Sequence, residues 1–503
     1  MTGRFREPYY WDSYFIIEGL LRTKGSFTQI ALNIIENFLD FVEQFGFVPN
    51  GARIYYLNRS QPPLLSQMVR IYVDYTGDRS ILARALPLLE KEHSFWTTNR
   101  SVTVTQGTAT YTLNRYAVHN TQPRPESYRE DYITANNRSY YASSGIIYPE
   151  SRQLNDTQKA TLYSDLASGA ESGWDYSSRW LMNPNDAAKN VYFPLRSLNT
   201  ANIIPVDLNS ILYANEIAIA RFHNLTGNST AYQAWTELAN ARSRAMTALL
   251  WDPTLYSYFD YNLTSQSRNT FVPADADANA TETSGAPQGY QVIFTPAQFF
   301  PFWTGAAPAF VKNNPLAIQR AFTRIRDQLD RKAGAIPASN FFTGQQWDEP
   351  NVWPPLQYVI TQGLLNTPAS FGTADPAYNW TQQLALDLAQ RYLDSAFCTW
   401  RVTGGSTPNL PDLPGSDSSA VGTIFEKYAD NTTNAAGGGG EYTVVEGFGW
   451  SNGVLIWQAD VFGRVLKTPD CGNITAADVD SELARRSAVA LSGRDLMWVE
   501  RYR

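Results

Sequence analysis

Apolar residues along this chain recur mainly at three- and four-residue steps. Between Phe27 and Phe45 they fall at Ile30, Ile34, Phe38, Phe41, Val42 and Phe45, the spacing that lays one apolar stripe along a helix. Gly46 follows the last periodic residue and predicts the stop, because glycine readily takes the left-handed conformation that ends helices. The same spacing predicts helices over 64–75, 81–96, 208–225, 232–250, 315–329, 356–364, 380–398 and 451–462. Strict alternation is confined to 102–111 and 256–261. At least eight helices with almost no sheet predict an all-α fold.

Long polar or Pro/Gly-rich stretches at 112–130, 184–205, 272–286, 402–420 and 432–442 interrupt the helices. Loops of that length inside a compact domain are functional or disordered. No break in composition marks a domain boundary, so a single catalytic domain over 1–503 is expected.

Composition narrows the chemistry. The 503 residues carry 40 Lys+Arg against 47 Asp+Glu, a formal net charge of −7. That balance argues against a nucleic-acid partner, and no apolar run is long enough to span a membrane. With only 3 His, none in HExxH spacing, and 2 Cys, no zinc site or other metal cofactor is called for. Aromatics reach 14%, with 14 Trp. An enzyme of this make-up would rest on carboxylates.

Sequons at Asn58, Asn99, Asn137, Asn155, Asn224, Asn228, Asn262, Asn279, Asn379, Asn431 and Asn473 point to N-linked glycans. They imply a secreted, vacuolar or cell-wall location. Cys398 and Cys471 fit either one disulfide or two buried thiols. The polar, aromatic opening MTGRFREPYYWDS is no signal peptide.

Five regions concentrate acids, Arg and aromatics: residues 3–14; 49–63; 123–126 with 171–180; 345–355; and 425–453. Pyranose rings stack their C–H faces on aromatic side chains, and their hydroxyls need fixed donors and acceptors. Breaking a glycosidic bond takes two carboxyl groups, one protonated and one ionised. Trp174 beside Asp175 is a neighbour that would desolvate an acid. Each feature also has a plain structural reading. Trp–Asp pairs occur in helix caps, Arg forms surface ion pairs, and the run Gly437–Gly440 fits a flexible linker.

Taken in order, GRFREPYYWDSY, NGARIYYLNRSQPP, PRPESYRED, ESGWDYSSRW, QQWDEPNVWPP, EKY and GGGGEYTVVEGFGWSNGV resemble the trehalase family, inverting hydrolases of α,α-trehalose, up to about residue 460. The resemblance implies an (α/α)6 barrel, a toroid with long active-site loops. It makes Asp175 the general acid, Glu426 the general base and Glu441 the residue that places the water. It sets Arg4, Phe5, Trp11, Asp12, Asn50, Arg59, Gln61, Arg124, Glu126, Gly173 and Trp347 around the glucose, with trehalose as the small-molecule partner. Two local departures are MTG before Arg4 and Glu349 where an aromatic or small residue is commoner. The chain also opens inside the first motif, whereas family members carry earlier helices. The expectation is a barrel lacking those helices, open unless a cleaved N-terminal chain stays associated. Two alternatives stand beside this reading: another inverting (α/α)6-barrel glycosidase, and an inactive sugar-binding protein.

Overall fold

The structure, a computed structural model, describes residues 5–136, 153–183, 195–274, 285–412, 421–440, 442–475 and 478–479. The predicted helices are present, with shifted ends: Ser26–Phe45, Leu65–Thr76, Leu82–Asn99, Val206–Leu225, Ser229–Leu249, Pro315–Arg331, Pro354–Leu365, Pro376–Val402 and Gly449–Phe462. Gly46 ends its helix in the left-handed region at φ 86°.

Three longer helices escaped the pattern. Tyr10–Thr23 is buried on most sides, from Tyr10 and Trp11 through Tyr14, Phe15 and Ile17 to Leu21, so no polar face marks its period. Asp156–Ser172 is rich in small and polar residues, and its start is fixed by a reciprocal cap between Asn155 and Gln158. Tyr128–Asn136 has a weak apolar face. The alternating stretch at 102–111 is not one strand but most of a hairpin, Ser101–Gln106 against Ala109–Asn114. The second, 256–261, breaks into two-residue strands belonging to different sheets.

Six elements pack side by side in a closed inner ring: Tyr10–Thr23, Leu65–Thr76, Val206–Leu225, the short helix Phe300–Thr304, Pro354–Leu365 and Gly449–Phe462, which returns to the first. Outside them lie Ser26–Phe45, Leu82–Asn99, Ser229–Leu249, Pro315–Arg331 and Pro376–Val402. This is an (α/α)6 toroid. The seam between first and last inner helices is the tightest. A Cβ on Gly19 would sit 2.7 Å from Gly453 Cα, and one on Gly453 would sit 2.0 Å from the Phe15 carbonyl oxygen. Only glycine permits backbones that close. The described inner ring is therefore shut rather than open, with Ser26–Phe45 packed on the first helix of that seam and Pro376–Val402 on the last.

Cys398 and Cys471 form a disulfide, which decides between the two readings left open by the sequence. Among the described sequons Asn262 is fully buried; Asn137 and Asn279 lie outside the described residues. No described helix is long and apolar enough to cross a membrane.

Candidate active site

The inner helices deliver their N-terminal turns to one mouth of the toroid. Trp11 and Asp12 sit in the first turn of Tyr10–Thr23, and Trp450 in that of Gly449–Phe462. Gly173 ends helix Asp156–Ser172 and puts Asp175 two residues beyond it. Loops supply Phe5, Asn50, Arg59, Gln61, Arg124, Trp347 and Glu426, and the one-turn 3-10 helix Pro125–Ser127 supplies Glu126. All of these residues line a single cavity of about 80 Å³. Arg4 and Glu441 lie outside the described residues.

The cationic side is tied up in pairs. Arg59 is ion-paired with Glu126. Arg124 grips Asp131 with two side-chain hydrogen bonds of 2.8 and 2.9 Å and lies 3.9 Å from Glu126. Burial alone would raise the Glu126 carboxyl, but Arg59 and Arg124 outweigh it and hold it below the usual range. Asn50 donates to the carbonyls of Ser60 and Ala170, and Gln61 accepts from the Trp11 amide at 3.2 Å. Besides lining the cavity, these two side chains stitch its walls together.

The carboxylates face a pocket otherwise built of rings. Tyr442 donates its phenol to Glu426 Oε1 at 2.8 Å, and the Val445 amide donates to Oε2 at 3.4 Å. The Glu426 carbonyl accepts from the Trp450 indole at 3.0 Å. Gln346 donates to the Asp175 carbonyl at 2.5 Å and accepts from the ammonium of buried Lys427 at 3.1 Å. One side chain thus links the Asp175 backbone to the ammonium of Lys427, the residue after Glu426. Asp12 is raised to about 8, by burial first and then by the charges of Glu426 and Asp175. Below that pH it keeps its proton, and can donate to a ligand hydroxyl.

Trp347 lies flat on Trp353, centroids 3.8 Å apart, and stacks on Trp174 at 5.2 Å. Trp11 packs against Trp347 and Trp450. Phe5, also in the lining, meets Tyr9, Tyr442 and Phe448 edge-on. At about 80 Å³, the cavity is far below the roughly 300–1,000 Å³ of pockets that enclose small ligands.

The glycine run is packed rather than a slack linker. Gly438 donates to Asn351 Oδ1 at 2.8 Å and Gly440 to the Gly344 carbonyl at 3.0 Å. Gly439 and Gly440 have φ of 76° and 82°, and a Cβ on Gly440 would meet the Gln346 side chain at 2.7 Å. The run therefore packs closely on Gln346, which holds the Asp175 carbonyl and the Lys427 ammonium.

Several singled-out groups belong to the framework instead. Asp348 is buried, accepting from Ser177, Ser178, Ser339 and Thr343, and burial raises it to about 6. Arg179 is clasped by Asp207 and Asp260 beneath Trp174 and Trp180. Glu349 pairs with Lys332, which also holds Asp430 at 2.9 Å, so the departure at 349 is a structural ion pair. Sequence reasoning did not assign Tyr9, Tyr56, Ser127, Trp353, Tyr442, Phe448 and Trp450 to the cavity, although all lie within the motif segments; Ala170 lies just before one.

A toroid of paired helices whose helix-N-terminal mouth holds two carboxylates among stacked indoles and paired guanidiniums defines a class, that of (α/α)6 proteins with an acidic, aromatic-lined cleft. The sequence comparison is more specific. The family model described as trehalase matches residues 2–463, and the chain belongs to that family. It is 38% identical over 455 residues to a trehalase of Pimpla hypochondriaca, covering 90% of this chain and 65% of the relative. It is 34% identical to a trehalase of Apis mellifera, covering 93% of this chain and 63% of that one. The chain thus spans a little under two thirds of those relatives' length. Neutral trehalase Nth1 of Saccharomyces cerevisiae shares the fold at a TM-score of 0.62 and 23% identity, over 91% of this chain and 72% of that chain.

Proposed function

We propose that this chain hydrolyses α,α-trehalose to two glucose molecules by single displacement with inversion. The observation that carries the reading is the placement of Asp175, Glu426 and Asp12 on one cavity with an indole wall. Asp175 gives its proton to the bridging oxygen as the bond to the anomeric carbon lengthens. Glu426, held by Tyr442 and Val445, takes a proton from a water that attacks the opposite ring face. Inversion calls for carboxyl groups about 6.5–9.5 Å apart, leaving room for that water. Glu441 places the water in this scheme, and Arg4, Arg59 and Arg124 donate to sugar hydroxyls. The exposed sequons support a glycosylated, secreted or vacuolar protein.

The test is glucose release from trehalose by Asp175→Asn and Glu426→Gln. Each change should lower kcat at least about a thousandfold, as loss of a general acid or base does, with circular dichroism unchanged. Near-normal turnover in either variant removes that residue from its role.

A further inference from the structure

The opposite mouth of the toroid holds a second cavity, and its volume of about 470 Å³ is several times that of the first. It lies among the C-terminal turns of the inner helices, lined by Glu18 and Arg22 of Tyr10–Thr23, Arg70 and Asp74 of Leu65–Thr76, and Gln362 of Pro354–Leu365. Its floor is aromatic: Trp303, Tyr358 and Trp457, with Tyr358 centred 4.6 Å from Trp457 and 6.0 Å from Trp303. Phe15 packs on Tyr358 from one side and on Trp11 from the other. A layer of rings therefore separates the two cavities. Along one helix, Asp12 and Glu18 stand about 9 Å apart at 1.5 Å per residue, facing opposite mouths.

Three guanidiniums line the cavity with two carboxylates, and Asp460, 3.3 Å from Arg22, supplies the third countercharge. Arg22 is ion-paired with Glu18, whose carboxylate also accepts from the phenols of Tyr14 and Tyr358 at 3.1 and 2.5 Å. Arg70 and Arg221 share Asp74, at 3.3 and 2.5 Å. Arg70 also donates to Gln67 at 2.8 Å. Arg22, in the last turn of its helix, suits the negative end of the helix dipole, and Arg70 and Arg221 answer Asp74, which accounts for their sign. It does not account for an unfilled volume of ligand size above three rings. An anion would meet guanidiniums already neutralised by carboxylates, and an apolar ligand would leave the polar wall without partners. A neutral polyhydroxylated molecule satisfies both surfaces, with ring faces under its C–H groups and paired donors and acceptors around its hydroxyls.

We propose that this far-end cavity is a second carbohydrate site, taking a neutral sugar of one or two pyranose rings, separate from the site at the helix-N-terminal mouth. Its contacts are independent of hydrolysis, and the two can be tested apart. The experiment uses the full chain labelled with 5-fluorotryptophan and titrated with D-glucose. The 19F resonances of Trp303 and Trp457 are assigned through Trp303→Phe and Trp457→Phe. They should move saturably with a dissociation constant on the order of millimolar, whatever happens at Trp11 and Trp347. Ile217→Phe, which fills the cavity from a half-exposed wall position, should weaken that binding at least tenfold while leaving trehalose turnover unchanged. Gln362→Ala, a milder change at the rim, should weaken it several-fold and serves if the filling variant does not fold. No saturable movement of either resonance, or identical titrations for wild type and both variants, would overturn the proposal.

Discussion

Gly173 offers the sharpest local test, because two independent constraints meet there. Its φ is +74°, and a Cβ would lie 2.8 Å from Cε2 of Trp11. Forcing alanine into the left-handed region costs about 1–2 kcal/mol. The methyl also needs the indole to give way by several tenths of an ångström, and overpacking a fitted wall costs about 1–3 kcal/mol. Trp11 has little room, being held against Phe15, Trp347 and Trp450. Gly173→Ala should therefore destabilise the fold by about 2–5 kcal/mol. At about 2.1 cal/mol/K of unfolding entropy per residue, a chain of 503 residues unfolding as one unit loses about 1 °C per kcal/mol. A Tm lowered by about 2–5 °C is expected in differential scanning fluorimetry. Activity should fall further than that loss explains, since Trp11 walls the cavity and Asp175 follows two residues on. A variant with unchanged Tm and unchanged kcat/KM would refute the packing argument.

Asp12 and Glu92 give two further expectations. If Asp12 acts as a protonated donor, Asp12→Asn, which keeps a donor, should hold kcat/KM within about tenfold at pH 6. Asp12→Ala should then lose about 10–100-fold, the cost of one buried partner; equal losses in steady-state assays would show that the charged form is needed. Glu92 is raised to about 7 by burial, partly offset by the Tyr10 hydroxyl that it accepts at 2.5 Å. In the unfolded chain it ionises from about pH 4.5. The unfolded state therefore sheds this proton first, and stability falls as pH rises from about 4.5 to 7. At 1.36 kcal/mol per pKa unit the fall is about 3 kcal/mol. Glu92→Gln cannot ionise, so its urea midpoints should fall less than those of the wild type across that window. Parallel curves would show that Glu92 is not the group responsible.

How far the sequence could be read depended on what each residue faces. Helices with one apolar stripe, such as Ser26–Phe45 and Pro315–Arg331, were plain in their spacing; Gly46 stops the first and Asn314 caps the start of the second. Tyr10–Thr23 was hidden because an inner helix meets protein on most sides, and a uniform environment leaves no period. The site was legible as motif segments, since acids, arginines and aromatics gather in loops that carry chemistry. What it could not show was the division of labour inside a segment. In QQWDEPNVWPP, Trp347 walls the cavity, Asp348 ties loops together and Glu349 answers Lys332. Those fates depend on which way each side chain points. Nor did any local pattern mark the ring seam at Gly19 and Gly453, which lie far apart in sequence and touch only when the toroid closes.

The central claim, inversion at one anomeric carbon by Asp175 and Glu426, is tested most directly by proton NMR of the first products from α,α-trehalose, before mutarotation. Direct water attack opposite the leaving group predicts α- and β-glucose in equal amounts. A first product consisting of α-glucose alone, or no glucose at all from the pure chain, would contradict it.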